Sequence, residues 1–130
     1  MELVTNGEQL VAAMGYWPSF HDANVIEVCR ASNSFFAKIH VFEMTDRVDT
    51  EGYFVLQKHH LVTFAFHGVR RNSLPADYAT DCLEELVFAK AGDNVQVNFE
   101  SVMGQDGEIV CTEVAIAKVV PCSSAGNART

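Results

Sequence analysis

The chain has 130 residues, with 17 Asp or Glu against 9 Lys or Arg and a formal net charge of −8. Apolar residues make up 48% and charged ones 20%, the composition of one globular domain large enough to bury a core without disulfides or a metal. The acid excess argues against direct nucleic-acid binding, which needs a basic footprint, and against an anionic membrane surface. It leaves a basic protein partner, or simple solubility, as its meaning.

The start, MELVTNGEQL, has neither the basic nor the apolar stretch of a secretory signal. No apolar run approaches the ~18 residues of a spanning helix. Cys29, Cys82, Cys111 and Cys122 are isolated and form no C-x-x-C pair. Reduced thiols and a cytoplasmic location are therefore expected.

In chain order, a short helix is expected first, with Asn6 and Gln9 as a capping box and Gly15 as its stop. Leu10, Val11 and Met14 share its apolar face. Pro18 pushes Trp17 toward an extended conformation, so that its ring lies across an apolar surface. Val25, Ile26 and Val28 mark a first strand, and Phe35 to Met44 a second, joined through Ala31 to Ser34. In the second strand, Phe35, Ala37, Ile39 and Val41 share one face, and Phe36, Lys38, His40 and Phe42 the other. Thr45 to Gly52 reads as a loop, and strands resume over Tyr53 to Gln57 and Leu61 to Val69. After a loop over Asn72 to Asp81, Cys82 to Ala91 fits a helix or a strand, and a strand ending at Gly92-Asp93-Asn94 is preferred. Val95, Val97 and Phe99 alternate with Gln96, Asn98 and Glu100, the pattern of a half-buried strand. A turn at Gly104 to Gly107 leads into a last strand, Ile109 to Val120.

The expected fold is therefore α+β: a mostly antiparallel sheet of six to seven strands with one N-terminal helix packed on it. Residues 1–121 would form a single domain, and 122–130 a flexible tail.

Enzyme motifs such as GxSxG, HExxH, GxxxxGK and GxGxxG are missing, so no catalytic residue and no cofactor is expected. His21 and Asp22, adjacent in an extended chain, would point to opposite faces. In a turn, Asp22 could instead accept backbone N–H bonds. His59 and His67 would stand roughly 26 Å apart on a regular strand, and a site from His21, His40 and His60 would need an unforeseen strand pairing; no metal is expected. Cys29 and Cys111 read as core residues, and Cys82 as more exposed.

The acids are concentrated. Asp77, Asp81, Glu84, Glu85, Asp93, Glu100, Asp106, Glu108 and Glu113 face only Lys90 between residues 77 and 113, so this span carries the whole net charge. Glu84, Glu85, Glu100 and Glu113 are the candidate partner-binding residues, against the plainer reading of a solvated face.

The run Trp17-Pro18-Ser19-Phe20-His21-Asp22-Ala23, followed by Asn24-Val25-Ile26, resembles the signature of the immunity protein 50 family of bacterial polymorphic toxin systems. Asn24 stands where that pattern carries an acid. The later order is also similar, with Phe66-His67-Gly68-Val69 and then a strand holding Gly107 and Cys111. The resemblance implies a small cytoplasmic protein that binds and neutralises a cognate toxin and has neither enzymatic activity nor a cofactor. It implies a structural role for Trp17, Pro18, Ser19, Phe20, His21 and Asp22, with Trp17 and Phe20 as anchors, Pro18 fixing the turn and Asp22 capping backbone donors. A basic nuclease domain would suit the acidic surface as the toxin. The alternatives are a small-ligand module whose pocket is lined by Phe36, Phe42, Phe64, Phe66 and Phe88, and a hydrolase centred on His21 and Asp22.

Overall fold

The computed structural model describes residues 2–80 and 82–124. Its elements are β1 (Val4–Thr5), α1 (Gly7–Met14), β2 (Asn24–Ala31), β3 (Ser34–Val48), β4 (Phe54–Asn72), β5 (Leu83–Ala91), β6 (Asn94–Ser101) and β7 (Gly107–Pro121). The sheet order is β2-β3-β4-β7-β6-β5, with β1 adding a short parallel pairing to β7 at Val4 and Thr5. All other strand pairs are antiparallel. The α+β architecture, with one helix on a mostly antiparallel sheet, is as the sequence pattern implies.

The centre of the core is a set of aligned rows across β3, β4 and β7. Phe35 pairs with Phe66 and Phe66 with Val114; Ala37 pairs with Phe64 and Phe64 with Ile116. These side chains are buried, as the alternation along β3 requires. Phe66 contacts Phe99, which contacts Tyr78; Phe64 contacts Phe88 and Phe20; and Trp17 meets both Phe20 and Phe88. Ring centroids in these six contacts lie 5.6–6.1 Å apart, the spacing of favourable edge and tilted contacts.

The two ends of the strand order meet. Asp22 N–H donates to Leu83 O and Leu83 N–H to Ala23 O, both at 2.8 Å. Val25 and Thr80 exchange two further backbone bonds. The sheet therefore curls into a partly closed barrel around its own apolar face, and α1 packs on β7 and β4.

Several local expectations change. Asn6 makes no side-chain cap bond; it sits at φ 63, and its carbonyl instead accepts Gln9 N–H. Gly15 does end the helix, at φ 89 with its N–H on Val11 O. The expected loop from Thr45 is strand as far as Val48, and β4 is one long strand instead of two. A left-handed residue, Lys58 at φ 55, is accommodated within it. That kink accompanies a contact of Lys58 Nζ with Met14 O at the helix C-terminus (3.0 Å), where a cation is favoured, and with Glu43 (3.1 Å). Glu43 also accepts from Tyr16 and Gln57, and these bonds, with that of Lys58 foremost, hold its carboxyl below the usual range. The β2–β3 connection is tighter than expected, with only Ser32 and Asn33 between strands and Ser32 at φ 57. Cys122, assigned to the tail, is 1% exposed and its N–H bonds His59 O, so the packed domain includes it. Residues 125–130 of the expected tail lie outside the described residues.

Gly68 lies at φ 63, and a Cβ there would meet Thr112 Oγ1 at 2.2 Å and Cγ2 at 2.9 Å. Gly68→Ala is expected to destabilise the fold by about 2–4 kcal/mol, from the left-handed backbone and the overlap together. In a Thr112→Ala background the same change should cost clearly less, since most of the overlapping atoms are gone. Chemical denaturation of the four-member cycle measures this, and equal costs in both backgrounds would refute the close contact.

Candidate functional site

Three of the four candidate carboxylates come together where β5 and β6 meet the closing junction. Glu85 and Glu100 are direct cross-strand partners. The register shifts between Leu83 and Glu85, and at this bulge two successive residues, Glu84 and Glu85, are both exposed. Asp106, in the β6–β7 turn, joins them and accepts Ser101 N–H at 2.8 Å. Partial burial, then a hydrogen bond shared with Glu85 and the charges of Glu85, Asp106 and Glu84, push the Glu100 carboxyl above its usual range. Like charges directly opposite on a sheet are destabilising. This arrangement therefore leaves negative potential uncompensated by the fold.

Glu113 is not part of this cluster. It pairs across β7 and β4 with His67 and accepts Thr5 Oγ1 at 3.1 Å. Six residues of β7 separate it from Gly107, beside the cluster, which is roughly 20 Å of strand. Glu108 is also engaged elsewhere, with Arg71 at 2.9 Å and Gln96 at 2.9 Å. Asp106, counted in the acidic span but not among the four candidates, belongs to the cluster, and only the fold of the β6–β7 turn brings it there.

The aromatic run before β2 does pack as anchors. Pro18 and Phe20 are buried, Trp17 is partly buried against the core, and Ser19 Oγ accepts His21 N–H. Phe20 and Asp22 both take left-handed backbone angles, φ 63 and 68, so the chain here is turned and not extended. This overturns the opposite-face reading of the His-Asp pair: His21 Nε2 lies 3.6 Å from Asp22 Oδ1. Asp22 Oδ1 accepts from Cys82 Sγ at 3.2 Å, in place of the backbone donors expected. His21 Nδ1 lies 3.1 Å from Glu84 O, tying the turn to the acidic strand. A cleft of about 360 Å3 adjoins this turn, lined by residues 18–23 with Tyr16, Phe42 and Glu43 among others.

The histidines pair differently from the set considered. His40 Nε2 lies 2.9 Å from His59 Nδ1, with Phe42 against both rings, while His60 turns to Lys58 O. His21, His40 and His60 are not brought together, and among the described residues no three metal-ligating side chains cluster. Cys29, expected in the core, is exposed. The register of edge strand β2 shifts between Val25 and Glu27, leaving Val25 as its only buried residue. Cys111 is buried as expected, and burial pushes its thiol up to about 11. Of the five phenylalanines, Phe64 packs on both Phe66 and Phe88. Phe42 lines the cleft beside the turn, and Phe36 a separate one beside Cys29.

Comparison with family models, curated proteins and solved structures finds no match to this chain.

Two titrations follow from these environments. A raised Glu100 pKa means that the folded state takes up that proton more readily than the unfolded chain. The repulsion is therefore present above the raised pKa and is relieved as pH falls through it. Glu100→Gln is expected to raise Tm at pH 7, with the gain shrinking toward about pH 4. A Tm at pH 7 no higher than wild type would contradict the repulsion. His40, 3% exposed, has its pKa lowered by burial and then by His59. Its neutral form is the folded one, so stability is complete above about pH 6.5 and falls as the solution is acidified below that value. His40→Gln should flatten this part of the pH–stability curve, measured by denaturation between pH 5 and 7.5.

Proposed function

We propose that this protein is an immunity protein: it binds a cognate toxin domain and blocks it, through the acidic surface of Glu84, Glu85, Glu100 and Asp106. The observation that carries this reading is the facing Glu85–Glu100 pair, reinforced by Glu84 and Asp106. A cationic partner would replace repulsion by attraction at this point and steer association over long range. The partner class this favours is a basic toxin, such as a nuclease whose cleft is built for phosphate. The resemblance of residues 17–23 to the immunity protein 50 signature supports the same class. In this reading the protein acts in the cytoplasm, without catalysis, cofactor or metal, and touches neither nucleic acid nor membrane directly. The motif itself serves the fold, holding β2 against the residues that lead into β5.

The test is co-expression with a cognate toxin domain, sought among the products of neighbouring genes. Growth should be rescued by the wild-type protein and lost with Glu84→Lys/Glu85→Lys/Glu100→Lys, while Glu113→Lys rescues normally. Affinity of the purified pair should fall with added salt, because exposed charges are largely screened beyond a Debye length, about 8 Å at physiological ionic strength and shorter as salt rises. Rescue by the triple variant overturns the acidic surface as the contact. Failure of the wild type to rescue overturns the immunity reading.

A further inference from the structure

A second site of opposite charge lies where the β2–β3 turn meets the end of β4. A cleft of about 280 Å3 is lined by Arg30, Ser32 to Phe35 and residues 69–72. Three of the chain's nine bases, Arg30, Arg70 and Arg71, surround it. Val69 N–H donates to Asn33 O at 2.9 Å, which holds the turn against the strand and fixes the two walls. Arg71 is matched by Glu108. Among the described residues, Arg30 and Arg70 form no ion pair and are exposed, so two guanidinium groups remain for a ligand.

Asn72 adds a more specific sign. Its Oδ1 accepts Leu74 N–H at 2.9 Å, which fixes which end of the amide is oxygen. The other end, Nδ2, is shielded from solvent and has no hydrogen-bond partner. A buried donor left unmet costs stability unless something accepts from it. Among the described residues, the lining offers hydroxyl and guanidinium donors and no carboxylate, while Asn72 Nδ2 is a shielded donor of one of the lining residues.

We propose that this cleft binds a phosphate group, either free or as the head of a small phosphomonoester. Donors from two walls suit a tetrahedral oxyanion, and guanidinium forks bond phosphate bidentately. The volume exceeds that of the anion alone and leaves room for an organic group. The chain's strong acid excess disfavours a polyanion such as nucleic acid, which points to a small ligand carrying one phosphate. The Arg71–Glu108 pair stands between this cleft and the acidic surface, since Glu108 lines a neighbouring hollow with Glu100 and Asp106.

The test is an NMR titration of the full chain with inorganic phosphate and with ribose 5-phosphate, against sodium chloride and acetate at matched ionic strength. Phosphate should shift the Asn72 side-chain amide and the Arg30 and Arg70 Nε–H signals. Arg70→Gln should weaken binding roughly tenfold, as for one lost charge-assisted contact, and Arg30→Gln/Arg70→Gln should abolish it. Asn72→Asp keeps the acceptor for Leu74 and places a negative charge in the cleft, so it too should abolish binding. Tighter binding of the ester identifies the organic part as a contact; equal binding identifies the phosphate alone. Equal shifts with chloride or acetate, or shifts that survive the double arginine variant, overturn the proposal. The two arginines are exposed, so their replacement tests the site even if the Asn72 variant fails to fold.

Discussion

The constraint on which the molecule depends is the backbone junction between residues 22–25 and 80–83. Without it, the six-strand path would end in two open edges, and its apolar face would need a second layer that one eight-residue helix is too short to supply. With it, the sheet wraps its own aromatic core. The junction requires the chain to turn sharply after Pro18, and Phe20 and Asp22 do this in left-handed conformations that cost a non-glycine residue about 1–2 kcal/mol each. Burial of Phe20 against Phe64 and Trp17 offsets that strain. The Cys82 thiol on Asp22 adds a polar tie at the same place.

The same junction governs the acidic surface. The β5 residues immediately after it are Glu84 and Glu85, and the bulge there leaves both exposed. His21 then holds the Glu84 carbonyl from the other side of the seam. The carboxylates are therefore fixed beside the backbone bonds that close the sheet. Preorganised charge of this kind loses little entropy when a partner arrives, which is where affinity is gained. The fold tolerates the repulsion because its stability comes from the aromatic core and not from surface charge.

The parts of the fold legible in the sequence were those set by side-chain alternation. The buried rows of β3 and β6, the Gly92-Asp93 turn and the Gly15 helix stop follow from period and turn chemistry alone. What was illegible depends on backbone pairing between distant segments. The β1 pairing spans two residues, too few to show a period. Left-handed Phe20 and Lys58 have no compositional marker, because that conformation is usually signalled by glycine, asparagine or aspartate. Exposure of Cys29 follows from a bulge in an edge strand. Three of four candidate acids were found through charge density, which is a local property. Glu113 was included on the same basis, but register carries it far along β7.

The charge pattern acquires its meaning only in three dimensions. Along the chain, the acids of residues 77–113 and the bases at 30, 70 and 71 are separate features, and the net value of −8 obscures both. In the fold, β7 places them near each other, with Glu108 and Arg71 neutralising the boundary. Surface charges of opposite sign tend to pair where the backbone allows it, yet Glu85 faces Glu100 across the strands, and among the described residues Arg30 and Arg70 form no ion pair. Two patches of opposite sign side by side are stable only if something holds their groups apart. Here the register of the strands from β2 to β5 across the sheet does so, with both sets reaching the surface. The sheet thus works as a frame that prevents internal neutralisation, and it keeps one surface available to cations and an adjacent one to an anion.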